Sequence, residues 1–88
     1  MSEPRVSIVL PVYNRLRYLR EAIGGVVTQS FQDWELIIAD DGSDAETQEF
    51  LASIEAPPRI RVLRLAHTGN PGAVRNAALR EARATRVA

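Results

Sequence analysis

Two adjacent carboxylates, Asp40 and Asp41, follow the apolar run Leu36-Ile37-Ile38-Ala39 and open into Gly42-Ser43-Asp44. Carboxylates at such a place can accept the N–H groups of a ligand or help to hold a hard cation. An uninterrupted apolar run bounded by Asp and Gly suits a parallel strand covered on both faces. Open α/β sheets collect their ligands at the carboxyl ends of such strands. The same residues also have a purely local use, in which the two acids cap a turn and Ser43 starts a helix. From these residues alone both readings stand.

The remaining residue types narrow the chemistry. All 11 basic residues are Arg, so a Schiff-base lysine and a Walker-type phosphate lysine are excluded within this segment. Cys is absent, which removes disulfides, thiolate catalysis and cysteine-ligated zinc, and fits a reducing compartment. The single His67 cannot supply a histidine metal cluster and reads as a loop residue. With 11 basic and 11 acidic side chains the formal charge is zero, so no global field steers the chain to nucleic acid or an anionic membrane. The start, Met1-Ser2-Glu3-Pro4-Arg5, lacks a signal-peptide pattern, and no apolar run approaches the roughly 20 residues of a membrane span. The expectation is a soluble, cytoplasmic segment.

Positioning these residues requires elements. The 88 residues make one small domain or a piece of a larger one, since a chain of this size buries only roughly 60 to 65% of its unfolded surface. Val6 to Val12 predicts a first strand with Tyr13 and Asn14 at its exit, and Asn14 is placed to cap the helix that follows. That helix carries Leu16, Leu19, Ile23, Val26 and Val27 on one stripe, with Gly24 and Gly25 read as points of close packing. The run from Trp34 is the second strand. Ser43 with Glu46 has the form of a capping box for a second helix reaching about Ile54, with Phe50, Leu51 and Ile54 inward. Pro57-Pro58 ends it, and Ile60 to Leu65 predicts a third strand, placed near an edge by Arg61 and Arg64. Asn70-Pro71 reads as a cap and first turn of a third helix carrying Val74, Ala77, Ala78 and Ala82 inward. Thr85 to Ala88 enters another strand. This alternation predicts a Rossmann-like three-layer α/β/α fold with a parallel sheet. No Gly-x-Gly-x-x-Gly follows the first strand, so NAD or FAD binding is disfavoured.

Three motifs now stand in order on their expected elements: Pro11-Val12-Tyr13-Asn14, Asp40-Asp41-Gly42-Ser43-Asp44 and Gly72-Ala73-Val74-Arg75-Asn76. Together they resemble the amino-terminal part of a family-2 type glycosyltransferase with the GT-A fold, over nearly the whole chain. The resemblance implies that residues 1–88 form the nucleotide-binding part of a glycosyltransferase domain, ending before its metal-binding motif. It implies a nucleotide diphosphate sugar donor, UDP-linked, and inverting transfer to an acceptor that is a glycan, lipid or protein. By position in the motifs, Asp41 takes the base N–H, Pro11 and Tyr13 line the base and ribose pocket, and Arg75 approaches the base or phosphates. Asp40 is a further contact, or an anchor of its loop. A divalent cation, Mg or Mn, is implied for the complete enzyme, with its Asp-x-Asp ligands and the catalytic base downstream and no catalytic or metal residue in this segment. The pattern departs at Thr68-Gly69-Asn70-Pro71-Gly72, where the family commonly has Asn-x-Gly and where Val74 replaces an alanine.

Other readings remain beside this one. Tyr13 can plug the core edge, Arg75 can pair with Glu81, and Asn14 can be only a cap. A noncatalytic nucleotide-binding or protein-interaction module would keep the same fold. Sugar nucleotidyl transfer would want a Gly-rich phosphate loop that Tyr13-Asn14-Arg15-Leu16 does not supply. In the implied fold the first strand lies between the second and a fourth beyond this segment, so an exposed edge at Ser7 to Leu10 invites self-association.

Overall fold

The computed structural model describes residues 4–84, 86 and 87. The first three residues of the start read above, together with Thr85 and Ala88 of the last strand, lie outside the described residues. Strands β1 (Val6–Val12), β2 (Trp34–Asp40), β3 (Ile60–Arg64) and β4 (Arg86–Val87) alternate with helices α1 (Leu16–Thr28), α2 (Ala45–Ile54) and α3 (Pro71–Arg80). The pairings between these strands are parallel, in the order β3-β2-β1-β4. The expected three-layer α/β/α arrangement is the observed one.

The apolar run of β2 is buried at every position because successive side chains enter opposite layers. Leu36 and Ile38 meet Leu19 and Ile23 of α1 and Leu51 of α2, whereas Ile37 and Ala39 meet Val74 and Ala78 of α3. Edge strand β3 carries its arginines toward acids: Arg64 pairs with Glu55 at 3.0 Å, and Arg61 with Glu35 at 3.0 Å. Strand β4 pairs with β1 at Val6 and Ser7, so the open edge expected to begin at Ser7 begins beyond it.

Several local expectations change. Val27 is exposed rather than part of the α1 core stripe. A Cβ added at Gly24 or Gly25 would meet nothing within 4 Å, so neither glycine serves close packing. The N-cap of α2 is Asp44, whose side chain accepts the Thr47 amide at 2.9 Å, and not Ser43. Ser43 is otherwise engaged, its Oγ accepting the Asn14 amide at 2.7 Å. Asn14 does not cap α1 either, because its Oδ1 accepts the Asp44 amide at 2.8 Å. These two bonds tie the exits of β1 and β2 together.

At the opposite end of the sheet lies a fully buried carboxylate, Glu35, which the sequence reading passed over. Its Oε2 accepts the Ser7 hydroxyl and the Arg83 amide at 2.7 Å, while Oε1 accepts Arg83 Nε at 2.9 Å and Arg61 at 3.0 Å. Burial pushes this carboxyl up, but the donors from Ser7, Arg83 and Arg61 outweigh it and hold the pKa at about 2. One side chain thereby joins β1, β2, β3 and the segment after α3.

Candidate functional site

A cleft of about 400 Å³ opens at the carboxyl ends of β1 and β2. Pro11, Tyr13, Asp41 and His67 line it together with apolar side chains that include Leu10 and Val74. The chain leaves β1 through Asn14 and Arg15, both left-handed at φ 54° and 57°, a conformation that costs a non-glycine residue roughly 1–2 kcal/mol. The bonds from Asn14 to Ser43 and Asp44 hold that turn in place. Tyr13 is 48% exposed, so it does not plug the core edge.

The adjacent acids diverge. Asp40 turns back to its own loop, where Oδ2 accepts the Ser43 amide at 3.2 Å and the Gln48 side-chain amide, while Oδ1 is buried without a hydrogen-bond partner. This is the loop-anchoring geometry, and Asp40 does not line the cleft. Asp41 turns toward the segment before α3. Its Oδ1 accepts the Thr68 amide at 2.8 Å and hydroxyl at 3.1 Å, and its Oδ2 accepts the Gly69 amide at 3.1 Å. Burial raises the Asp41 pKa, but the amides of Thr68 and Gly69, the Thr68 hydroxyl and the charge of His67 together hold it below the ordinary carboxylate range. Asp41 is thus an ionised acceptor inside a cleft.

His67, read from sequence as a loop residue, stacks on Tyr13 with ring centroids 4.3 Å apart and planes inclined by 27°. Its Nδ1 lies 2.9 Å from the Asp41 carbonyl oxygen and 3.2 Å from Oδ2. Gly42 permits this approach, for it sits at φ +76° and a Cβ there would come within 2.9 Å of the His67 amide nitrogen.

Pro11, Tyr13 and Asp41 are therefore brought together, whereas Arg75 is not among the cleft-lining residues. It is exposed on α3, directly after Val74, which does line the cleft. Glu81, its alternative partner, is taken by Arg61 at 3.3 Å. Among the described residues no group of three or more His, Asp or Glu side chains could hold a metal ion. No helix of the described residues is long and apolar enough to cross a membrane.

This arrangement has relatives. The model of "Glycosyl transferase family 2" matches residues 7–88. An uncharacterized glycosyltransferase of Rickettsia conorii is 33% identical over 82 residues, covering 93% of this chain and 13% of that protein. An uncharacterized glycosyltransferase of Haemophilus influenzae is 36% identical over 83 residues, covering 93% of this chain and 33% of that protein. The crystal structure of S. aureus TarS 1–349 superposes with a TM-score of 0.84 at 28% identity, over 94% of this chain and 26% of that one. The chain thus spans between 13% and 33% of the length of the two curated relatives named here. With the motifs of β1, β2 and α3 on the elements that shape the cleft, and the family match running from β1 through β4, the chain belongs to glycosyl transferase family 2.

Proposed function

We propose that this chain is the donor-binding part of an inverting glycosyltransferase that uses a UDP-sugar. The observation that carries the reading is the convergence of the exposed Tyr13 ring and the Asp41 carboxylate in one cleft at the strand ends. A uracil ring offers a flat face for stacking and an imide N–H, and an ionised carboxylate only accepts. Asp41 therefore suits uracil, whose ring nitrogen bears hydrogen, and penalises a base with a bare nitrogen at that place. Pro11, which lines the same cleft, is assigned to the base and ribose. Arg75, one residue after the cleft-lining Val74, reaches for the base or the diphosphate, and Asp40 holds the loop that presents Asp41.

In the complete enzyme a divalent cation would neutralise the leaving diphosphate. Its ligands, the base that activates the acceptor hydroxyl and the acceptor site itself are assigned outside these 88 residues. The donor-binding part by itself is expected not to turn over. The edge of β1 beyond Ser7 is left unpaired by β4, and pairing of that edge with a second copy is the corresponding proposal for self-association.

Titration calorimetry tests the reading. UDP is expected to bind without added metal, CDP, whose cytosine N3 carries no hydrogen, to bind more weakly, and Asp41→Asn to weaken UDP by roughly tenfold, the loss of one charge-assisted hydrogen bond. Equal affinity for UDP in the variant and the unaltered chain contradicts the role of Asp41.

A further inference from the structure

The donor reading leaves His67 unused, although it touches both residues on which that reading rests. Its Nδ1 faces two oxygens of Asp41, the carbonyl at 2.9 Å and Oδ2 at 3.2 Å, and both can only accept. Nδ1 therefore carries the hydrogen. In a neutral ring that fixes the tautomer, with Nε2 bare, and in either charge state it fixes the ring plane relative to Asp41. The same ring covers one face of Tyr13 at 4.3 Å between centroids, too close for a base to enter between them. A base that stacks on Tyr13, which is 48% exposed, must therefore use its other face.

We propose that His67 is a positioning residue for the donor base. Held by Nδ1–H on Asp41, it backs the Tyr13 ring at the angle at which the open face of Tyr13 meets a base whose N–H Asp41 accepts. The inference rests on the donor-binding reading above and extends it to a residue that acts through Tyr13 and Asp41. A tyrosine held in place before binding loses less rotational freedom when the base arrives, which converts to roughly a 3- to 10-fold gain in affinity. Gly42 belongs to the same device, because only a residue without Cβ lets the His67 backbone come this close.

The test has two arms on the 88-residue chain. Ring ¹⁵N shifts of unliganded His67 are expected to show hydrogen on Nδ1; a neutral ring with hydrogen on Nε2 alone overturns the proposal. In UDP titrations, His67→Ala is expected to lose roughly 3- to 10-fold in affinity, and His67→Phe, which keeps the stack but not the N–H, to recover part of it. UDP affinity unchanged in His67→Ala overturns the positioning role alone. Absence of UDP binding by the unaltered chain overturns the donor reading and this inference together.

Discussion

The carboxylate of Asp41, at the exit of β2, accepts the backbone amide of Thr68 at 2.8 Å, 27 residues further along the chain. Through this bond the segment leading into α3 is fastened to the same side chain that the donor reading assigns to the base. The Thr68 hydroxyl adds a second donor to Oδ1 and itself accepts the Asn70 amide at 3.1 Å. Loop and acceptor are one hydrogen-bonded unit.

Thr68→Val keeps the amide donor and removes the hydroxyl. It is expected to lower stability by about 1 kcal/mol, the net worth of an ordinary hydrogen bond, because exposure of Thr68 weakens the gain from the carboxylate charge. Urea unfolding followed by the fluorescence of the single buried Trp34 measures it.

Gly42→Ala places a Cβ at φ +76° and within 2.9 Å of the His67 amide nitrogen. The left-handed backbone alone costs about 1–2 kcal/mol, and the contact forces a shift at His67, which is stacked on Tyr13. A fall in the unfolding midpoint accompanied by shifted Tyr13 ring resonances is the expected result.

Gly24→Ala and Gly25→Ala go the other way. Both positions lie inside α1 and open onto free space, so each alanine is expected to stabilise by about 0.4–1 kcal/mol through helix propensity and a less mobile unfolded chain. An unfolding midpoint lowered by either change would show that something packs there.

Glu35 sets an acid limit. Its carboxyl is lowered from 4.5 to about 2 in the folded chain, so its contribution is complete above pH 4.5 and is lost as pH falls toward 2. The shift corresponds to about 3 kcal/mol. Glu35→Gln is expected to cost about 2–4 kcal/mol at neutral pH, since it leaves Arg83 without its charge partner and Arg61 with Glu81 alone, and to flatten the loss of stability between pH 4.5 and 2. Urea midpoints across that range, with and without the substitution, decide it.

What could be read in advance followed from local causes. The run Leu36 to Ala39 announced a strand covered on both faces because consecutive apolar side chains have no other use in a parallel sheet. Asn70 and Pro71 announced the start of α3 because the cap and the missing N–H act within one turn, and Asn70 Oδ1 does accept the Ala73 amide at 3.2 Å. What escaped depended on distant partners. Ser43 and Asn14 have the side chains of caps, yet each is taken by the other strand exit, and the cap of α2 moves to Asp44. Glu35 interrupts no pattern visible in one strand, because Ser7, Arg61 and Arg83 reach it from three separate segments. His67 had no local partner to recommend it, since Tyr13 and Asp41 come to it only when the sheet forms.

The most direct measurement of the central claim is an amide chemical-shift titration of the chain with UDP. If Tyr13 and Asp41 form the base pocket, the perturbed amides cluster at residues 12–14, 41–43 and 67–70, and Asp41→Asn abolishes or weakens the response. Perturbations confined to other faces, or none at saturating UDP, would contradict it.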